Sequence, residues 1–268
     1  MTTTLANSVQ ITTRYLRAFL RQPGYIAGTL VQPIIWLLLF GQLFERATEI
    51  PGFTAGSYMA FLTPGIVVMS AMLSTGWSGT SYVVDMERGV LDRFLVSPVR
   101  RGALIGGELV YQAGMVLLQS LIILGLGFLV GARFDGGIAS IVILFVCTML
   151  LGTAFASLSN ALALVLRKQE SVIAVNVTLV LPLTFLSSTF LPVNLMPQWM
   201  QDFAKFNPVN WAVEAGRQTL SSSIDWSLVS MHLAELLVLT LVCAWLSTRA
   251  FRAYQRSVWA LHRTVRTW

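Results

Sequence analysis

Long, nearly unbroken apolar runs alternate along this chain with short polar connectors. The runs cover about residues 26–44, 58–82, 104–130, 138–166, 172–191 and 228–250. A helix needs about 20 apolar residues, at about 1.5 Å each, to cross the hydrocarbon of a bilayer. Each run meets that need, and the fourth exceeds it, so that helix must tilt or project. A membrane β-barrel would show short segments of alternating character instead. The pattern therefore predicts an all-α membrane protein with six transmembrane helices, the second holding Pro64 and the fifth interrupted by Pro182.

Two further stretches are amphipathic rather than apolar. In residues 1–22, Leu5, Val9, Thr12, Tyr15, Leu16, Phe19 and Leu20 share one helical face, while Gln10, Arg14, Arg17 and Arg21 share the other. That is the pattern of a helix lying in the membrane interface with its arginines toward anionic head groups. A short solvated helix ahead of the first span is the simpler alternative. Beyond the fifth run, Pro192 and Pro197 break the helix. Met196, Trp199, Met200, Phe203 and Phe206 then gather opposite Gln198, Gln201, Asp202 and Lys205. Asn207-Pro208 reads as a turn, and helical character resumes from Trp211 to Leu220. Residues 192–222 are expected to lie at the outer interface or to re-enter the membrane; a surface helix packed on its own bundle is the plainer possibility.

Charge then orients the bundle. The net charge is +6, from sixteen Arg and two Lys against twelve acidic residues. In a soluble protein such an excess would suggest nucleic acid, but charged residues are only 11% of this chain, so no nucleic-acid partner is expected. With the N-terminus inside, fourteen Lys and Arg fall on the cytoplasmic side and four on the outer side: Arg46, Arg133, Lys205 and Arg217. This bias places both termini in the cytoplasm of a multi-pass plasma-membrane protein. The first run has no convincing small-residue cleavage site after it, so no cleaved signal peptide is expected. Cys147 and Cys243 both sit inside apolar runs and are read as buried hydrophobes.

The cytoplasmic connector between the second and third runs has a mixed character. Modelling residues 83–95 on a helix gathers Val83, Val84, Val90, Leu91, Phe94 and Leu95 on one side, with Asp85, Gly89, Asp92 and Arg93 opposite; Pro98 stops it. Apolar anchors with charges of both signs suit docking to a protein better than to lipid. An ordinary loop with helix-capping charges is the other reading.

The wording of two segments resembles a known family. Met86-Glu87-Arg88-Gly89-Val90-Leu91-Asp92-Arg93-Phe94-Leu95-Val96-Ser97-Pro98-Val99 is similar to the cytoplasmic loop of type-2 ABC exporter permeases. Phe190-Leu191-Pro192, Met196-Pro197, Phe206-Asn207-Pro208-Val209 and Glu214-Ala215-Gly216-Arg217 are similar to the outer loop of the same family, in its drug-export, daunorubicin-resistance-like branch. The resemblance extends over nearly the whole chain, read as one permease domain of residues 1–268. It implies that residues 1–22 form a connecting helix beside an ATPase, and that residues 83–103 form the coupling loop. Glu87, Arg88, Gly89, Leu91, Asp92, Arg93, Phe94, Ser97 and Pro98 would carry that docking. It implies an extracellular gate region holding Pro192, Pro197, Trp199, Phe203, Asn207, Pro208 and Arg217. It implies two partners, an ABC ATPase subunit and a second copy or a related permease, besides membrane lipids.

Candidate chemistry within the chain is sparse. Neither Lys168 nor Lys205 follows the glycine of a phosphate-binding loop, so ATP and Mg are expected on the partner and no cofactor on this chain. No zinc-protease pattern surrounds His232 or His262, and no metal site or catalytic residue is expected. Glu108, His232 and Glu235 lie one or two turns inside their runs rather than at mid-bilayer, which disfavours a central proton-carrying carboxylate. Gln112, Gln119, Asn160 and Asn176 lie deeper; they join helices or line a pathway. The expectation is the membrane subunit of an ATP-driven exporter of hydrophobic or amphiphilic, drug-like or lipid-like compounds. A gradient-driven secondary carrier or a membrane-embedded lipid-modifying enzyme is the alternative.

Overall fold

The computed structural model describes residues 23–51, 53, 57–89, 101–134, 136–220 and 224–265. The interfacial helix expected over residues 1–22 lies outside them. In chain order the helices are α1 (Pro23–Leu43), α2 (Tyr58–Gly76), α3 (Ser78–Glu87), α4 (Arg101–Leu129), α5 (Gly137–Leu166), α6 (Gln169–Phe185), α7 (Gln198–Ala204), α8 (Pro208–Leu220) and α9 (Trp226–Val265). Short 3-10 turns occupy Glu45–Glu49 and Val193–Leu195, and no strand occurs among the described residues.

Four stretches are long and apolar enough to cross a membrane: Tyr58–Glu87, Val110–Leu129, Gly137–Leu166 and Trp226–Arg256. Two shorter apolar stretches, Leu30–Leu43 in α1 and Gln169–Phe185, fall where the first and fifth runs were expected. Local chemistry sets several ends. Ser57 caps α2 by accepting the Ala60 N–H at 3.1 Å. Asp225 caps α9, accepting from the Ser227 and Leu228 N–H groups at 2.9 and 3.2 Å.

Helix α5 is the hub. It packs against α2, α3, α4, α6, α8 and α9. Small residues along it, including Gly152, Ala154, Ala156 and Ser159, let neighbouring backbones come close. Around it, Leu62, Ile66, Val67, Val68 and Met72 of α2 are fully buried with Leu37, Ile123, Leu144, Leu151 and Leu236. A smaller apolar cluster closes the end of the bundle where α3 finishes, formed by Tyr82, Val83, Ala163, Leu164, Val172, Phe251 and Tyr254.

Burial inverts between helices. Of the most apolar stretch in Tyr58–Glu87, 78% is inside the bundle, against 22% for Trp226–Arg256. Leu237, Val238, Leu241 and Val242 on α9 are exposed, as are Val31, Ile35 and Leu39 on α1. In water such patches would drive aggregation. In lipid they are the solvent-facing surface of an α-helical membrane protein.

Three boundaries differ from the sequence expectation. The second run is two helices meeting at Trp77, not one. The fifth ends at Phe185, six residues short of Leu191: the helix runs through Pro182, and the following Ser187-Ser188-Thr189 turns away. The sixth continues to Val265 rather than stopping near Ala250. Hydropathy marks where a helix leaves lipid, not where its hydrogen bonds end.

Candidate coupling segment and helix junctions

The segment expected to couple to an ATPase begins at the end of α3. Glu87 and Arg88 are exposed there. The Arg88 N–H donates to the Val84 carbonyl and the Gly89 N–H to the Met86 carbonyl, both at 3.0 Å. Gly89 has φ +62°, a left-handed conformation that ends a helix cheaply only without a Cβ. Leu91, Asp92, Arg93, Phe94, Ser97 and Pro98 lie outside the described residues. The chain resumes as α4 at Arg101.

The break between α2 and α3 creates a buried polar seam. Stopping one helix at Gly76 and starting another at Ser78 orphans a carbonyl and an amide. One hydroxyl on α5 takes both: Ser159 Oγ donates to the Gly76 carbonyl and accepts the Gly79 N–H at 3.1 Å. It also accepts from Asn176 Nδ2 at 3.2 Å, which uses its full bonding capacity. Asn176 Nδ2 donates as well to the Val172 carbonyl at 2.9 Å. Beside them, Ser78 Oγ donates to Asn160 Oδ1 at 2.8 Å. A side chain on Gly79 would collide with the Ser159 backbone. Asn160 and Asn176 thus join α3, α5 and α6. Gln112, half-buried, and Gln119, buried, stand elsewhere on α4.

At the opposite end, a second junction closes the broken end of α6. Asn207 is 1% exposed. Its Nδ2 donates to the carbonyls of Leu183 at 2.7 Å and Leu186 at 3.0 Å, in the last turn of α6. Its Oδ1 accepts the Val209 N–H at 3.0 Å, capping α8 at the point where Pro208 opens it. Asn210 Oδ1 accepts the Ser188 N–H at 2.9 Å. Arg217, on α8, donates to the carbonyls of Phe61 at 3.1 Å and Ser188 at 2.8 Å, with its guanidinium 3.6 Å from the Phe61 ring centre. Burial lowers its pKa to about 9 against the pull of Glu214 and Tyr58, so it remains a cation at neutral pH. The Tyr58 hydroxyl donates to the Phe190 carbonyl at 2.9 Å. The loop passes so close to α2 that a Cβ on Gly65 would sit 2.7 Å from the Thr189 carbonyl oxygen.

The remaining predicted residues of this region form its outer skin. Pro192 leads into the 3-10 turn and Pro197 caps α7. Trp199 and Phe203 are exposed, as is Phe206, while Met196 is buried before α7 begins. The apolar face expected over residues 196–206 is therefore divided between the bundle and its surroundings. Asp202 and Lys205 pair at 2.8 Å on the exposed side, and that contact holds the Asp202 carboxyl below its usual range.

Residues 8–221 match the ABC-2 type transporter family. The chain belongs to that family. This ABC-2 permease is 29% identical over 243 residues to the daunorubicin resistance ABC transporter permease protein DrrB1 of Streptomyces coeruleorubidus, covering 89% of the chain and 83% of that protein. It is 31% identical over 217 residues to a Cyanophora paradoxa protein named as a transport permease, ycf38, covering 81% and 74%. A Mycobacterium tuberculosis protein named for doxorubicin resistance, the ABC transporter permease protein DrrC, is 25% identical over 215 residues, covering 80% and 75%. The permease is thus a multi-pass membrane subunit of the type-2 ABC class.

Several contributors to these junctions escape a reading by motif. Ser159, Ser78 and Gly79 look like filler in apolar runs. Tyr58 and Asn210 reach backbone groups far away in sequence, and Ser188 contributes through its own N–H and carbonyl. His232, placed by the sequence inside the last run, lies 2.8 Å from Glu235 and 3.4 Å from Glu214, tying α9 to α8. The signal available for the seam was the run Ser157-Leu158-Ser159-Asn160 within α5, polar where lipid contact would forbid it.

Proposed function

We propose that this permease is the membrane half of an ATP-driven exporter, moving a hydrophobic or amphiphilic, drug-like or lipid-like compound out of the cell. A separate ATPase subunit holds ATP and Mg, and a second copy or a related permease completes the pathway. The two shorter apolar helices, α1 and α6, complete six spans, with both termini in the cytoplasm. Residues 83–103 dock on the ATPase. Residues 192–222 cap the pathway outside, re-entering the membrane edge and tied down by Asn207 and Arg217.

The observation that carries this reading is the family match over residues 8–221. The exposed end of α3 supports the docking role, since Glu87, Arg88 and the left-handed Gly89 project where a partner can reach them. The names of the Streptomyces and Mycobacterium relatives support a drug-like substrate. Nucleotide-driven movement of the partner would displace the coupling loop and bias the paired bundles between two access states.

The test is co-expression with a candidate ABC ATPase subunit, followed by purification through this chain. Phe94→Asp and Leu91→Asp are expected to leave membrane insertion intact and to remove the ATPase from the purified complex. Retention of the ATPase and of substrate efflux in both variants would refute the docking role. Gradient-driven flux by the chain alone in vesicles would replace the exporter with a carrier.

A further inference from the structure

The last helix distributes its charges in a way that orientation alone does not require. Glu235 is the last acidic residue of the chain; five arginines follow it. Arg249, Arg252 and Arg256 are exposed and are spaced by three and four, so they share one face of α9. The opposite face carries Phe251, Tyr254 and Gln255, all buried. One turn before Arg249 the exposed face continues through Trp245, Leu241 and Val238. The arginines therefore prolong the lipid-facing surface, not the packed one. Arg249 lies over the Trp245 ring at 5.3 Å.

Length locates them in the bilayer. Trp226 and Trp245 are both exposed on α9. Nineteen residues separate them, which at about 1.5 Å each is roughly 29 Å, the thickness of a hydrocarbon core. Tryptophan favours the two interfaces, so this pair brackets the core. Arg249 and Arg252 then lie roughly 6 and 10 Å beyond Trp245, among head groups. Arg256 lies roughly 16 Å beyond, and its long side chain reaches back. Retention of positive charge during insertion accounts for the number of arginines but is indifferent to the face they occupy.

We propose that Arg249, Arg252 and Arg256 form a binding surface for the phosphates of anionic phospholipids in the leaflet around this end of α9, with Trp245 at the boundary between acyl chains and head groups. Guanidinium forks match phosphate oxygens two at a time, and no carboxylate on this stretch competes for them. The proposal rests on the membrane embedding of α9 and not on ATPase docking, so the two readings fail separately.

The experiment presents the full chain in detergent with phosphatidylglycerol and phosphatidylcholine in equal amounts and counts retained lipids by native mass spectrometry. The unaltered chain is expected to prefer phosphatidylglycerol, and each arginine removed is expected to lower the preference about fivefold at low salt. The triple variant R249Q/R252Q/R256Q should lose most of it, the corresponding triple lysine variant should keep the larger part, and R46Q should keep all of it. If the triple glutamine variant does not fold, R252Q and R256Q singly give the graded loss. Equal retention of both lipids by the unaltered chain, or an unchanged preference in the glutamine variants, overturns the proposal. So does an equal loss in R46Q. An unchanged lipid preference with loss of a co-purifying ATPase would assign the stripe to a protein partner instead, and would also overturn it.

Discussion

The two ends of α2–α3 are finished by different means. At the Tyr58 end, long polar side chains reach backbone carbonyls: Asn207 holds those of Leu183 and Leu186 at the end of α6, and Arg217 joins that of Ser188 to that of Phe61 on α2. At the Glu87 end, a left-handed glycine closes the helix and a small apolar cluster supports it. Directional bonds fix one geometry, because each donor must find its own acceptor. Apolar contacts tolerate sliding. The exporter proposed above, moved from one end and sealed at the other, would be well served by this division.

The comparison breaks most sharply at Asn207. Asn207→Ala removes a helix cap and leaves two buried carbonyls without their donor, a loss of about 3 kcal/mol in the stability of the purified chain. Asn207→Asp keeps the capping oxygen and removes only the donor, so it should melt nearly as early. If the aspartate variant melts like the unaltered chain, the carbonyls are not what Asn207 stabilises. Next comes Ser159→Ala, which strips partners from the Gly76 carbonyl and the Gly79 amide and should cost about 2 kcal/mol by the same assay. A shift confined to transport, with melting unchanged, would show that water replaces the hydroxyl. The smallest effect belongs to the tolerant end. Gly89→Ala meets no neighbour among the described residues and bears the left-handed backbone penalty, about 1 kcal/mol. A change in ATPase coupling larger than its change in melting would show that the turn positions the docking segment.

The helical class was legible because hydropathy is a local property, and each apolar run holds a helical apolar stretch, four of them long enough to span. The junctions were not, because their information is distributed. Pro182 announces that α6 will fail, yet the residue that repairs it, Asn207, lies over twenty positions later. The Asn207-Pro208 turn signal was readable; its second duty toward Leu183 and Leu186 was not. Gly76, Ser78 and Gly79 do not interrupt the apolar pattern strongly enough to reveal a break. Periodicity placed Trp199 and Phe203 on one face correctly, but could not say which environment that face meets. Arg217 was singled out by resemblance, whereas its grip on Phe61 and Ser188 required three dimensions.

The length of α9 has a mechanical consequence. Forty residues without an internal break make a rod roughly 60 Å long. Asp225 caps its first turn, and about a third of the way along it is fastened to the hub where Thr240 donates to the Leu150 carbonyl at 2.9 Å. A stiff rod pivoting at that contact would convert a tilt of about 5° into opposed displacements of about 2 Å at one tip and about 3 Å at the other. Motion begun on one side of the membrane would then arrive on the other with its direction reversed, with no flexible joint needed to relay it.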